Sequence, residues 1–123
     1  MTPASPLSLT EKQARFEYLT AKLVIECALQ NVSIICYRYR STLAEDLDAF
    51  KKGLSEIDPT KTPTMHMLCL AKDFAVAKGS NYDWADVNAY TKMGVIAESL
   101  GLRWGGRWTK LRDYGHVEYV EGA

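Results

Sequence analysis

The stretch from His66 to Val76 constrains this chain more than any other. After the histidine the residues alternate: Leu68, Leu70, Phe74 and Val76 fall on one side, with Lys72 the only polar interruption. Cys69, Ala71, Asp73 and Ala75 fall on the other. A period of two predicts a strand with one bulky face directed at a core. The opposite face is built of small residues and carries a carboxylate, Asp73, seven positions after one of the chain's 2 histidines. Small neighbours leave room for something to sit against that carboxylate. The same pattern also describes an ordinary half-buried strand with a solvated aspartate, and on pattern alone both readings stand.

Around this stretch the chain predicts alternating helices and strands. Thr10 and Gln13 have the spacing of a capping box, followed by Phe16, Leu19, Leu23 and Cys27 at helical spacing, which predicts a helix over 11–29. Residues 32–40 are rich in β-branched and aromatic side chains and predict a strand on which Arg38 and Arg40 share a face. Thr42 and Glu45 form a second capping box, and Leu43, Leu47, Phe50 and Leu54 predict the buried stripe of a second helix. A third helix is expected over 84–100, capped by Asp83 and ended by Gly101 at the C′ position. A glycine pair between Trp104 and Trp108 implies a tight bend, and 116–120 alternates as a last strand on which His116 and Glu118 share a face. Helix, strand, helix, strand, helix, strand is the order of an α+β domain: a small antiparallel sheet with packed helices.

The chain's 123 residues suit one domain with its own core, spanning 1–123, with 1–9 as a loose N-terminal arm containing Pro3 and Pro6. Lys plus Arg number 15, as do Asp plus Glu. A net charge of zero lacks the basic footprint of a nucleic-acid binder. The 3 cysteines, Cys27, Cys36 and Cys69, are odd in number and not closely spaced, which fits a reducing compartment rather than a disulfide framework. The N-terminus lacks the basic and apolar regions of a signal peptide, and the most apolar stretch, 23–35, is interrupted by Glu26, Gln30, Asn31 and Ser33, so no membrane span is expected.

His116 lies fifty residues after His66, and Asp113 precedes it by three. Two histidines and an aspartate suffice as the protein ligands of a catalytic zinc, which keeps its fourth position for water. The bound ion acidifies that water and polarises a carbonyl, and a nearby carboxylate can move the proton to a leaving amine. The spacing is not that of the His-Glu-x-x-His helix, and a lone histidine in a core strand is more often structural. Spacing alone leaves the metal site open.

Two motifs resemble those of the zinc peptidases that cut bacterial cell-wall peptides: the D-Ala-D-Ala carboxypeptidases and dipeptidases, and the phage L-alanyl-D-glutamate endopeptidases. Thr64, His66, Cys69, Ala71 and Asp73 stand at the positions of that family's Ser-x-His-x-x-Gly-x-Ala-x-Asp. His66, Ala71 and Asp73 match, Thr64 replaces serine, and Cys69 replaces the glycine. Trp104-Gly105-Gly106 followed by Asp113-Tyr114-Gly115-His116-Val117 is similar to the C-terminal pattern of the phage-type members.

The resemblance implies a Hedgehog/D-Ala-D-Ala peptidase-like α+β fold and a single zinc peptidase domain. It implies His66, Asp73 and His116 as Zn2+ ligands and Asp113 as general base and acid. Arg40, in Tyr39-Arg40-Ser41, matches the family's catalytic arginine, with Arg38 the alternative on the same expected face. Arg38, Thr64 and Trp104 are the expected substrate contacts. A glutamine often follows that arginine in the family; here the region reads Glu45-Asp46. Glu118 rivals Asp113 as base because it shares a face with His116. Cys69 is expected to add bulk to the small face and narrow the site.

The implied activity is hydrolysis of peptidoglycan stem peptides, first as an L-alanyl-D-glutamate endopeptidase of the endolysin type, with a D-Ala-D-Ala carboxypeptidase as the alternative. A non-catalytic zinc-bearing cell-wall binding module is the reading from another class. The expected enzyme is a monomer, held in the host cytoplasm until a holin releases it to the wall.

Overall fold

The computed structural model describes residues 6–123. In chain order it contains α1 (Leu9–Leu29), β1 (Ile34–Arg38), α2 (Leu43–Lys51), β2 (Ala71–Lys78), β3 (Asn81–Asp83), α3 (Val87–Ser99), β4 (Arg103–Trp104), a single 3-10 turn (Gly105–Arg107) and β5 (His116–Glu118). The expected α+β class is the one observed. Residues 1–5 of the expected arm lie outside the described residues, and from Leu9 onward the chain is helical.

Strand β2 is central. It pairs antiparallel with β1 along one edge, and along the other with β5 at Ala71–Asp73 and β3 at Val76–Lys78. Strand β4 pairs with the far side of β5. The alternation read from the sequence holds from Ala71 onward. Phe74, Val76 and Val117 join Phe16, Leu19 and Leu23 of α1 and Tyr90, Met93 and Ala97 of α3 in one apolar core. Lys72 shares that face because its Nζ lies over the Phe16 and Tyr39 rings and donates to Glu17 and to Thr20 Oγ1. The register sets Asp73 opposite both Arg38 and His116, and Ala71 opposite Glu118, so the face of the sheet away from α1 and α3 collects the polar residues.

Several expectations are corrected. The α1 capping box is Ser8 with Glu11, not Thr10 with Gln13: Ser8 Oγ accepts from the Glu11 amide at 3.2 Å and Glu11 Oε1 accepts from the Ser8 amide at 3.0 Å. Both pairs fit the pattern, but a carboxylate is also favoured at the positive end of the helix dipole. Gln13 instead donates to the Leu68 carbonyl, tying α1 to the segment that carries His66. Helix α3 is capped by Asp86, three residues later than expected, because Asp83 spends its carboxylate on the turn amides of Ala85 and Asp86. Gly101, at φ +85°, takes the C′ place foreseen for it.

The α2 capping box of Thr42 and Glu45 forms as read, but the buried stripe does not. Leu43, Phe50 and Leu54 are exposed, and the one buried residue of α2 is Asp46. A polar anchor, not an apolar stripe, fastens this helix.

The strand expected from Leu68 begins only at Ala71. His66 to Cys69 form turns, closed by Cys69 N–H to His66 O and Leu70 N–H to Met65 O. Cys69 stands in that turn at φ +56°. It does not thicken the small face of the sheet; it occupies a left-handed position that suits the motif's glycine.

Candidate metal centre and cleft

Three elements bring the cluster together. His66 comes from the turn before β2, Asp73 from the middle of β2, and His116 from the first position of β5, its direct partner across the sheet. One donor atom from each lies within 4.8 Å of the other two, and all three side chains are buried. His116 Nδ1 is 3.1 Å from Asp73 Oδ1, and His66 Nε2 is 3.3 Å from Asp73 Oδ2. Two ligand atoms about 2.0–2.2 Å from a tetrahedral ion stand roughly 3.3 Å apart, and each imidazole nitrogen is near that distance from one Asp73 oxygen.

The far nitrogen of each ring explains which one faces inward. His66 Nδ1 lies 2.8 Å from the Tyr39 carbonyl. A carbonyl can only accept, so Nδ1 carries the hydrogen and Nε2 keeps a lone pair. That Nε2 is buried and has no hydrogen-bond partner among the described residues. A buried polar atom without a partner is costly unless something binds it. His116 Nε2 lies 2.8 Å from Glu118 Oε1, so a hydrogen on Nε2 leaves Nδ1 for the cluster. Ring nitrogens oriented from behind by a carbonyl and a carboxylate are the usual support of imidazole metal ligands. The residues present therefore fit a divalent metal ion.

The electrostatics agree. Burial would raise the Asp73 carboxyl, but the His116 and His66 imidazoles outweigh it and hold it well below the usual carboxylate range. Burial would lower His116, but hydrogen bonds to Asp73 and Glu118 push it up to about 9. Without a metal the site holds a proton where a cation would go.

The cluster opens into a cleft of ≈ 690 Å³ whose wall includes Arg38, Thr64, Met65, Trp108, Asp113 and Glu118. Asp113 Oδ1 accepts from the Gly115 amide at 3.2 Å, and its second oxygen has no hydrogen-bond donor among the described residues. Burial first, then the negative charge of Asp73, raises its pKa. Its backbone is pinned: the Asp113 amide donates to Gly105 O at 3.1 Å, and a Cβ on Gly105 would stand 2.5 Å from Asp113 O. The glycine at 105 is what lets the bend close on Asp113. Glu118, by contrast, is engaged by His116 Nε2 and by Arg103 Nη1 at 3.3 Å, on the side of the imidazole away from the cluster.

Not every expected residue reaches this place. A bulge between Cys36 and Arg38 shifts the β1 register, so Arg38 pairs with Asp73 and its Nη1 donates to Asp73 Oδ2 at 3.4 Å. The strand ends there, and Arg40 stands exposed in the connection to α2, outside the cleft wall. The two arginines do not share a strand face. Trp104 pairs with Val117 on the core side, packs against Gly94 and donates from Nε1 to Tyr114 O at 2.8 Å. It is a core residue, and Trp108 stands in the cleft instead, its ring 4.8 Å from that of His116. Thr64 lines the cleft, with its hydroxyl donating to Asp46. The Tyr39 carbonyl had no role in the sequence reading, and Asp46 entered it only as part of Glu45-Asp46, where the family often has a glutamine.

The sequence profile of a family described as D-alanyl-D-alanine carboxypeptidase matches residues 58–119, half of the chain. The L-alanyl-D-glutamate peptidase of Listeria phage A118 is 36% identical over 56 residues, which cover 44% of this chain and 20% of that protein. The chain thus spans about a fifth of the curated relative it matches. The crystal structure of the Serratia marcescens L-Ala D-Glu endopeptidase ChiX aligns with a TM-score of 0.63 over 85% of this chain and 84% of that one, at 21% identity, so the two share a fold.

Proposed function

This chain belongs to the D-alanyl-D-alanine carboxypeptidase family, and we propose that it is a zinc-dependent peptidase that hydrolyses stem-peptide bonds of peptidoglycan, the L-alanyl-D-glutamate bond first. The observation that carries the reading is the buried His66–Asp73–His116 cluster with Asp113 facing the same cleft. The two named relatives, both L-Ala–D-Glu peptidases, support the choice of bond.

His66 Nε2, one Asp73 oxygen and His116 Nδ1 would hold the ion. When bound there, zinc supplies Lewis-acid chemistry, acidifying water towards neutral pH and polarising the scissile carbonyl. Asp113, through its unengaged oxygen, takes the proton of the attacking water and passes it to the leaving amine. Its raised pKa suits a group that must both accept and return a proton. Arg38 rather than Arg40 is the cation at the site, and its guanidinium holds a substrate carbonyl or carboxylate. Trp108 and Met65 form apolar wall, and Arg103, Arg107 and Lys110 line the same cleft, paired with Glu118, Glu98 and Glu56.

A D-Ala-D-Ala carboxypeptidase is the second reading, favoured by the description of the matching family. The single apolar core supports one catalytic domain, which we take to act as a monomer. No helix among the described residues is long and apolar enough to cross a membrane. As a phage lysin the protein would be made in the host cytoplasm and reach the wall through a holin.

Mass spectrometry of peptides released from purified peptidoglycan by zinc-loaded protein tests the proposal. New L-Ala carboxyl ends and D-Glu amino ends are expected. Release of D-Ala alone would move the assignment to a carboxypeptidase. No release from any wall preparation, with metal bound, would leave a binding module.

A further inference from the structure

We propose that Asp46 is a positioning residue that holds the Arg38 guanidinium at the metal-binding carboxylate. Asp46 is 4% exposed and lies in the first turn of α2. Its Oδ1 accepts from Arg38 Nη2 at 3.2 Å, and its Oδ2 accepts from Ser41 Oγ at 2.6 Å and Thr64 Oγ1 at 2.5 Å. The other arm of the same guanidinium, Nη1, donates to Asp73 Oδ2 at 3.4 Å. Arg38 therefore bridges two buried carboxylates, one that can bind a metal and one that cannot.

The need for the second carboxylate follows from charge. A divalent cation held by Asp73 repels a guanidinium that donates to the same carboxylate. The Arg38 side chain is 38% exposed, so nothing in the packing alone keeps it from swinging into water. Asp46 supplies a counter-charge that the metal does not touch, and its two hydroxyl donors fix the carboxylate so that it cannot follow the arginine outward. Thr64 adds a second link, since its Oγ1 also accepts from the Met67 amide in the turn that carries His66. Asp46 thus acts through Arg38 and through the His66 turn. This inference rests on the peptidase reading only for its kinetic arm.

The test is a double-mutant cycle with D46N, R38Q and both, with metal content and thermal midpoint measured on the same samples. D46N and R38Q should each lower kcat/KM by about tenfold to a hundredfold, the worth of one or two charge-assisted hydrogen bonds. The double variant should be no worse than R38Q alone, with metal still bound. Losses that add independently would overturn the proposal. A second readout needs neither variant nor turnover: in 15N-arginine-labelled protein, the Arg38 Nη–H groups should rotate slowly and resist exchange both without and with zinc. Rapid exchange in the zinc-loaded wild type would overturn the proposal even if D46N fails to fold. If wild type cuts no peptidoglycan, the peptidase reading fails while the NMR result still decides the role of Asp46.

Discussion

His116 and Glu118 stand two residues apart on one short strand, and Nε2 of the first lies 2.8 Å from Oε1 of the second. The strand's period of two makes this possible, since both side chains leave the same face of β5. The carboxylate behind the ring decides which nitrogen is free for a metal. Glu118→Gln keeps the shape and loses the charge. It should weaken zinc binding about 10–100-fold, read by competition with a chromophoric chelator, with the fold unchanged by circular dichroism. An unchanged affinity would mean that Glu118 does not orient the ligand.

Asp113 is the carboxylate with an oxygen to spare. Asp113→Asn should retain zinc at the wild-type level and lose about 10²–10⁴-fold in kcat. Burial and the Asp73 charge raise its pKa, and a base works only when ionised. Activity should therefore fall as the pH drops through the pKa of Asp113. In the metal-free protein the Asp113 carboxyl carbon should titrate above the ordinary aspartate value by NMR. A wild-type rate in the Asp113→Asn variant would assign the proton transfer to another group.

The proton on His116 and a metal compete for the same ring. In the metal-free protein its pKa is raised from 6.5 to about 9, through Asp73 and Glu118 against burial. A raised folded-state pKa stabilises below the unfolded value and loses that contribution as pH rises through the folded one. The metal-free protein should therefore lose stability between pH 6.5 and about 9, by of the order of 3 kcal/mol at most. Zinc binding near neutral pH should expel about one proton from His116. Calorimetry in buffers of different ionisation enthalpy reads that number, and a value of zero would show that His116 is not a ligand.

Cys69 sits at φ +56°, where a side chain with a Cβ is disfavoured. Cys69→Gly should raise stability by about 1 kcal/mol or less, because relief of the left-handed conformation outweighs the extra freedom of the unfolded chain. Urea midpoints at constant m-value check it. A fall in the midpoint would show that the thiol's packing matters more than the backbone.

How much of this was legible beforehand follows from what repeats. The core face of β2 and the helices α1 and α3 were readable because packing against a core imposes a period, and both motifs were readable because their residue types are chemically particular. Arg38 and Arg40 were not separable: the bulge that re-registers β1 leaves no trace in composition. Cys69 was misplaced because Leu68 and Leu70 continue a period of two through residues that are in fact a turn. Trp104 and Trp108 were ambiguous because an indole serves a core or a cleft equally well, and only the pairing of β4 with β5 tells which one faces inward. The α2 stripe failed for a different reason. An apolar period says which face could be buried, and here Asp46, held by Arg38, Ser41 and Thr64, is the residue buried instead.

The contact between Gly105 and Asp113 makes the segment between them a replaceable cassette. Its two ends are clamped by a backbone hydrogen bond, and its middle contributes Trp108, Lys110 and Leu111 to the cleft wall. Lengthening a closed loop costs only about 0.6 kcal/mol per doubling of its length. Exchanging the loop's interior should therefore reshape that cleft wall while the clamped ends keep Asp113 in register with His116. Under the proposed function, a change of preferred peptidoglycan chemistry would then require new residues only at 107–112, with the His66–Asp73–His116 face of the sheet left as it is.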